Sequence, residues 1–492
     1  MASKSSLHLN TIFNLSGAAL PLLISIIVIP MYLGRIGPSR YGIISLVWLL
    51  FGYFGIFDFG LSRATTNLLA RPANQGAERQ AEIFWTATIV NTLIGALGAL
   101  AFGLVGKLII GSFFKVPIEL RSELQTALVW VAFLLPLSTT SAVFIGVLEA
   151  HERFLELNFI QVLGATLGQL LPLGAVVLLG ARIDIAIAAT FVARFVTTVP
   201  IFILAVRQSG RNGIPAIAGD TARELFQYGG WVAVSNIAGP ILVSIDQFMI
   251  GAVIGVSSVP RYSIPFSIAT KILLIPGAMA RALFPQLTKL GADDARARTE
   301  AVTITLSRAL VIVCAPLIVI NHYAMTLWLG ADFSTNASMV SRIIVFGVWI
   351  NGVAYLPFAM LQSQGKPGMV ARLHIYELLP FFAILWVGLH LFGLIGAALA
   401  WSLRVLVDAM FLFRAADFSA DAIKKLVPSF IIMVLAFSLS IFVQENVFGS
   451  IAFSCAIFIS ITLYAILIDP TFAHFYGEFA RKTLRVLRTK RG

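Results

Sequence analysis

The run SIATKILLIPGAMARALF sets one ammonium and one guanidinium among apolar neighbours. Lys271 stands ten residues after Arg261 and ten before Arg281. On a helix, the two arginines lie about 30 Å apart, the depth of a bilayer's hydrocarbon core, with Lys271 at the middle. Residues 261–288 hold no Asp or Glu. A lysine so placed either meets a carboxylate from another element, with Glu377 and Asp408 as candidates, or faces a wet cavity that receives an anion. A second charged set lies in GIFDFGLSRATTNLLAR, residues 55–71. Asp58 follows Arg40 by about 27 Å of helix, which puts Asp58 and Arg63 at the opposite membrane face from Arg40. Arg281 reaches the same depth on its own helix. Guanidinium groups bind oxyanions through paired N–H donors, so Arg63 and Arg281 read as an anion-attracting pair at an inner mouth. The alternative is that Arg63 anchors the interface by snorkelling.

Other charges interrupt apolar runs. Arg194 and Arg404 lie near the middle of theirs. Arg404 has Asp408 four residues on, on the same helical face, which predicts an intrahelical pair. Thr198 takes that place after Arg194. Asp246, beside Gln247, reads as a proton or sodium site or as a partner for Arg261. Glu377 and His374, one turn apart, are protonatable or form a polar seam. No cofactor is expected beyond a coupling H+ or Na+.

The elements that must carry these residues are membrane helices. The chain has 492 residues, 59% hydrophobic and 12% charged, against about 25% charged in soluble domains. Fourteen apolar spans are read at 10–33, 41–62, 83–106, 126–148, 157–179, 184–206, 226–250, 261–288, 301–320, 338–361, 370–390, 393–413, 426–444 and 449–468. The net charge of +12 is topological. About 22 Lys and Arg fall on the side of the termini, about 7 on the other and about 6 in spans, so both termini are expected in the cytoplasm and nucleic acid is not implied. Residues 471–492 read as a basic amphipathic helix on the inner leaflet, and the N-terminus does not read as a cleaved signal. Cys314 and Cys455 both lie in apolar runs and suggest neither a disulfide nor a metal site. No nucleotide-binding loop or zinc motif is present, and the outward loops GVSSVP and FGLIG carry no charge, which disfavours catalysis.

The two halves echo each other. LGRIGPSRYG (33–42) parallels IGAVIGVSSVPRYS (250–263), GLSRA (60–64) parallels GAMARA (277–282), and RFV (194–196) parallels RVL (404–406). Offsets near six helices imply a parallel repeat. The expected organisation is an N-lobe over 1–210, a C-lobe over 211–415, an extra helix pair over 416–470 and the tail 471–492.

The string IPMYLGRIGPSRYGIISLVWLLFGYFGIFDFGLSRATTNLLA resembles the N-terminal signature of the polysaccharide (O-antigen type) flippases of the multidrug/oligosaccharidyl-lipid/polysaccharide exporter superfamily. SIDQFMIGAVIGVSSVPRYSIPFSIATKILLIPGAMARALFPQLTKL, EAHERFLELN and FGLIGAALAWSLRVLVDAMFLF extend the likeness over roughly residues 10–415. The resemblance implies an all-α fold of two six-helix lobes around a central cavity. It also implies translocation of polyprenyl-diphosphate-linked oligosaccharide from the cytoplasmic to the outer leaflet of a bacterial inner membrane, by ion-coupled alternating access. On that reading Lys271, Arg63, Arg281, Arg261, Arg40 and Arg194 contact substrate, while Asp246, Asp58, Arg404, Asp408 and Glu377 couple ions or pair structurally. The partners are the lipid-linked oligosaccharide, membrane lipids and the downstream polymerase and chain-length machinery, with the chain acting as a monomer. Competing readings are a peptidoglycan-precursor flippase, a drug or metabolite antiporter of the same superfamily, and a membrane glycosyltransferase or polymerase. Basic rather than acidic charge in the spans disfavours export of cationic drugs.

Overall fold

The computed structural model describes residues 4–53, 58–112, 114–211, 213–442 and 447–468. The basic tail expected over 471–492 lies outside the described residues. Among the described residues the α-helices are α1 (Lys4–Tyr53), α2 (Leu61–Ala70), α3 (Ala77–Ser112), α4 (Arg121–Ala150), α5 (Phe154–Leu179), α6 (Ile183–Ala205), α7 (Gly219–Val253), α8 (Val259–Ala269), α9 (Leu274–Lys289), α10 (Ala292–Leu329), α11 (Ala331–Ser363), α12 (Pro367–Ala415), α13 (Ala420–Phe442) and α14 (Val447–Ile468). Ten stretches among the described residues are long and apolar enough to cross a membrane, and Leu242–Val253 and Ile451–Ser460 are shorter apolar segments. The protein is therefore an all-α polytopic membrane protein.

Two helices are too long for one crossing. α1 bends at Gly37, with φ 76° and ψ 166°, and α12 bends at Gly393, with φ 58° and ψ −132°. Both angles fall where a side chain on Cα is disfavoured. Gly37 sits between two of the expected spans and Gly393 opens one, so α1 carries 10–33 and the first part of 41–62, and α12 carries 370–390 and 393–413. The two arms of α12 fold back closely: a Cβ on Gly396 would lie 1.9 Å from the Gly388 carbonyl oxygen.

One correction falls in the expected span 41–62. α1 ends at Tyr53, and α2 starts afresh at Leu61 behind Gly60, a left-handed residue at φ 74°. The ten-residue α2 is amphipathic, burying Leu61, Ala64, Thr65, Leu68 and Leu69 and leaving Arg63 exposed. A straight-helix ruler from Arg40 to Arg63 therefore does not hold.

The chain divides into two compact units, Met1–Pro260 and Arg261–Gly492. In the first, α4 packs on α3 and α6, α5 on α6 and α1, and α2 on α4 and α7. Its core beneath α2 gathers Leu61, Leu68, Phe84, Phe144, Val147 and Leu148. Polar contacts tie the start of α7 to α3. Arg79 bonds Glu82 at 2.6 Å, Thr221 at 2.6 Å and Glu224 at 3.2 Å, Thr221 also donates to Glu82, and the Trp85 indole donates to the Gly210 carbonyl. In the second unit α10 packs on α11, α13 and α14, and α11 on α9 and α12.

Candidate functional site

Lys271 is held by a helix that breaks under it. Pro276 has no N–H for the carbonyl of Ile272, four residues back. The Thr270 hydroxyl turns back to the Phe266 carbonyl at 2.7 Å, a bond that bends helices. The backbone tightens into a 3-10 turn, Thr270–Leu273, between α8 and α9. Lys271 is exposed on this turn. Among the described residues it makes no ion pair, and neither expected carboxylate partner reaches it: Glu377 and Asp408 are engaged elsewhere.

The other two cations of this stretch differ in their surroundings. Arg261 lies 3.5 Å from the Asp332 carboxylate at the start of α11. Arg281 is exposed and runs back along α9, where a Cβ on Gly277 would stand 3.6 Å from its Nη1. It lines a cavity of about 560 Å³ between α9 and α11, together with Thr270, Tyr355, Phe358 and Gln362.

Behind that cavity the arms of α12 hold four polar groups. Arg404 Nη1 lies 3.6 Å from Glu377 Oε2, and His374 Nε2 lies 3.7 Å from Asp408 Oδ1. The Arg404 guanidinium also stands over the Phe381 ring at 5.4 Å. His374 stacks on Phe358, which itself lines the cavity. The expected Arg404–Asp408 pair within one helix is thus replaced by cross-pairs between the arms, because the bend at Gly393 brings the earlier arm alongside. Glu377 and Asp408 are 6% and 8% exposed, so neither serves an outside cation without first exchanging partners.

In the first unit Arg40 is spoken for. Its Nε and Nη2 reach the Glu123 carboxylate at 3.0 and 2.6 Å, and the same carboxylate accepts the Ile183 N–H at 3.0 Å. This ties α1, α4 and the first turn of α6. Asp58 is buried, accepts the Ser62 hydroxyl and has the Gly60, Leu61 and Ser62 amides nearby. It braces the start of α2, while Arg63 in the next turn is exposed. Asp246 is fully buried and accepts the neighbouring Gln247 N–H at 2.7 Å. Arg194 lines a cavity of about 320 Å³ with Trp48, Ser138, Gln169 and Thr190. Sequence reading passed over Glu123, Gln169, Trp48 and the fully buried Arg342. None of these stands out in one dimension, because its partner is distant in sequence.

The family model described as "Polysaccharide biosynthesis protein" matches residues 7–291, more than half of the chain. The chain belongs to that family. This polysaccharide biosynthesis protein is 29% identical over 412 residues to a putative O-antigen transporter of Shigella flexneri, covering 82% of this chain and 96% of the relative. It is 25% identical over 417 residues to the probable low-salt glycan biosynthesis flippase Agl15 of Haloferax volcanii, covering 83% and 82%. In fold it is similar to the lipid II flippase MurJ in an inward closed conformation, with TM-score 0.70 at 14% identity over 97% of this chain and 99% of that one. It also resembles an inward-facing MATE-family multidrug transporter, with TM-score 0.63 at 16% identity over 81% and 97%. The family member is thus a polytopic membrane protein of the multidrug/oligosaccharidyl-lipid/polysaccharide exporter superfamily, related to transporters rather than to catalysts.

Proposed function

We propose that this chain is a flippase that carries polyprenyl-diphosphate-linked oligosaccharide from the cytoplasmic to the outer leaflet of a bacterial inner membrane by alternating access. The observation that carries this reading is Lys271, an exposed cation without an ion pair on a broken turn in the middle of an apolar helix. A diphosphate crossing hydrocarbon needs such a charge, because an unpaired anion in a low dielectric is very costly. Arg281, lining the cavity one helix further on, supplies a bidentate site for the same phosphates. The relatives named as an O-antigen transporter and a glycan flippase support the substrate class. Fourteen crossings follow if α1 and α12 each count twice and α8–α9 once, with α2 left at the membrane surface; both termini then lie in the cytoplasm. The quartet of His374, Glu377, Arg404 and Asp408 is the group to which H+ or Na+ coupling is assigned, since a bound cation there would compete with Arg404 for the carboxylates.

The test is complementation of a deletion strain that lacks surface polysaccharide. Lys271→Ala is expected to abolish export while the protein reaches the membrane at normal abundance, and Lys271→Arg to retain part of it. Full export by the Ala variant overturns the reading.

A further inference from the structure

The cavity in the first unit has a chemistry of its own. Arg194 stands about 16 Å from Ile183 and about 24 Å from Gly210, counted along the candidate span Ile183–Gly210. Neither interface is within comfortable reach of its side chain. Among the described residues Arg194 makes no ion pair and no side-chain hydrogen bond. An uncompensated guanidinium inside a membrane protein calls for an anionic occupant.

The rest of the lining says which anion. The Gln169 amide donates from Nε2 to the Pro21 carbonyl at 3.1 Å and to the Ala165 carbonyl at 3.3 Å. These two acceptors fix the orientation of the amide, so the buried, unpartnered atom is the acceptor Oε1. A diphosphate has no donor to give it; a hydroxyl has. Trp48 adds aromatic surface, held in place by its indole N–H bond to Thr190 at 3.2 Å and by Tyr32 and Tyr41 at its side. Gly52 and Gly168 leave bare backbone walls, since a Cβ at either would meet nothing within 4 Å. The volume of about 320 Å³ is at the small end of ligand pockets, room for one pyranose ring.

We propose that this cavity binds the acidic sugar of a glycan, a hexuronate, with its carboxylate on Arg194, a ring hydroxyl donating to Gln169 Oε1 and its apolar face against Trp48. Its physiological role rests on the flippase reading, and it deepens that reading by naming the sugar class. The binding step is separable from transport.

The test uses the full-length protein in lipid nanodiscs, with glucuronate, glucose and pyrophosphate as probes, read by calorimetry and by tryptophan fluorescence. Glucuronate is expected to bind at least about tenfold more tightly than glucose, a gap of about 1.4 kcal/mol. Arg194→Ala is expected to erase that preference, Arg194→Lys to keep part of it, and Gln169→Leu to weaken both sugars. Trp48→Phe is expected to remove most of the fluorescence response. Pyrophosphate binding is expected to be indifferent to Arg194→Ala and to fall in Lys271→Ala. Equal binding of glucose and glucuronate, normal glucuronate binding by Arg194→Ala, or loss of pyrophosphate binding in Arg194→Ala overturns the hexuronate site. If Lys271→Ala exports normally while Arg194 still selects glucuronate, the flippase reading fails and this inference stands. If Lys271→Ala abolishes export and Arg194→Ala binds glucuronate normally, the reverse holds.

Discussion

At the scale of single residues, burial decides which charges are structural. Arg404 and Glu377 are nearly enclosed, at 11% and 6% side-chain exposure. Arg404→Ala leaves two buried carboxylates, Glu377 and Asp408, without their guanidinium. Removing one partner of a buried pair typically costs about 3–5 kcal/mol. We expect Arg404→Ala to lower the thermal unfolding midpoint in detergent clearly, and the Arg404→Ala, Glu377→Ala double variant to regain part of the loss. Additive losses in the double variant would show that the two side chains are not coupled. By contrast, Arg63 and Arg281 are exposed, and each Arg→Ala change should leave the unfolding midpoint within about 0.5 kcal/mol equivalents of the parent, as surface changes do. Each should reduce export in the complementation assay, the double variant more than either. Lys271 was legible in the sequence because its spacing from Arg261 and Arg281 is a one-dimensional ruler. The pairing of Arg40 with Glu123 was not legible, because the two stand 83 residues apart and nothing in the chain's order marks that approach.

At the scale of elements, run length located the long membrane helices, while the separate helix α2 and the turn between α8 and α9 escaped. An apolar stretch looks alike whether it is one helix or two arms, so the chain had to be cut on turn residues alone. That worked at Gly37 and Gly393. It failed at Phe59 and Gly60, two positive-φ residues after which α2 starts as a separate amphipathic piece, and at Thr270–Leu273, where a proline and a back-bonded threonine tighten the helix. The bend in α12 gives a direct test. Gly393→Ala must force a side chain into φ 58°, ψ −132°, a strain of order 1–3 kcal/mol. We expect a lower melting temperature by scanning fluorimetry for Gly393→Ala and no such drop for Gly174→Ala, a helical glycine at which a Cβ would meet nothing within 4 Å. An unchanged melting temperature in Gly393→Ala would mean that the turn relaxes at no cost.

At the scale of the whole molecule, membrane orientation is the property to measure. From the charge asymmetry we expect the loop before α7 in the cytoplasm and the start of α11 outside. Gln208 and Thr335 are exposed on those two segments, whereas the adjacent Ser209 and Ser334 are buried. With Cys314 and Cys455 replaced, Gln208→Cys and Thr335→Cys should label oppositely with an impermeant thiol reagent in intact cells, Thr335→Cys being the reactive one. Labelling of both from outside would overturn the orientation. The bend at Gly393 bears on how the chain enters the bilayer at all. Asp and Arg each raise the insertion free energy of a lone helix by about 2.5–3.5 kcal/mol at its centre. Glu377 sits on one arm of α12 and Arg404 and Asp408 on the other, with no more than a glycine turn between them. The arms can leave the ribosome-bound insertion channel together, as a hairpin whose charges are already matched, so that neither arm has to cross into lipid carrying its charge alone.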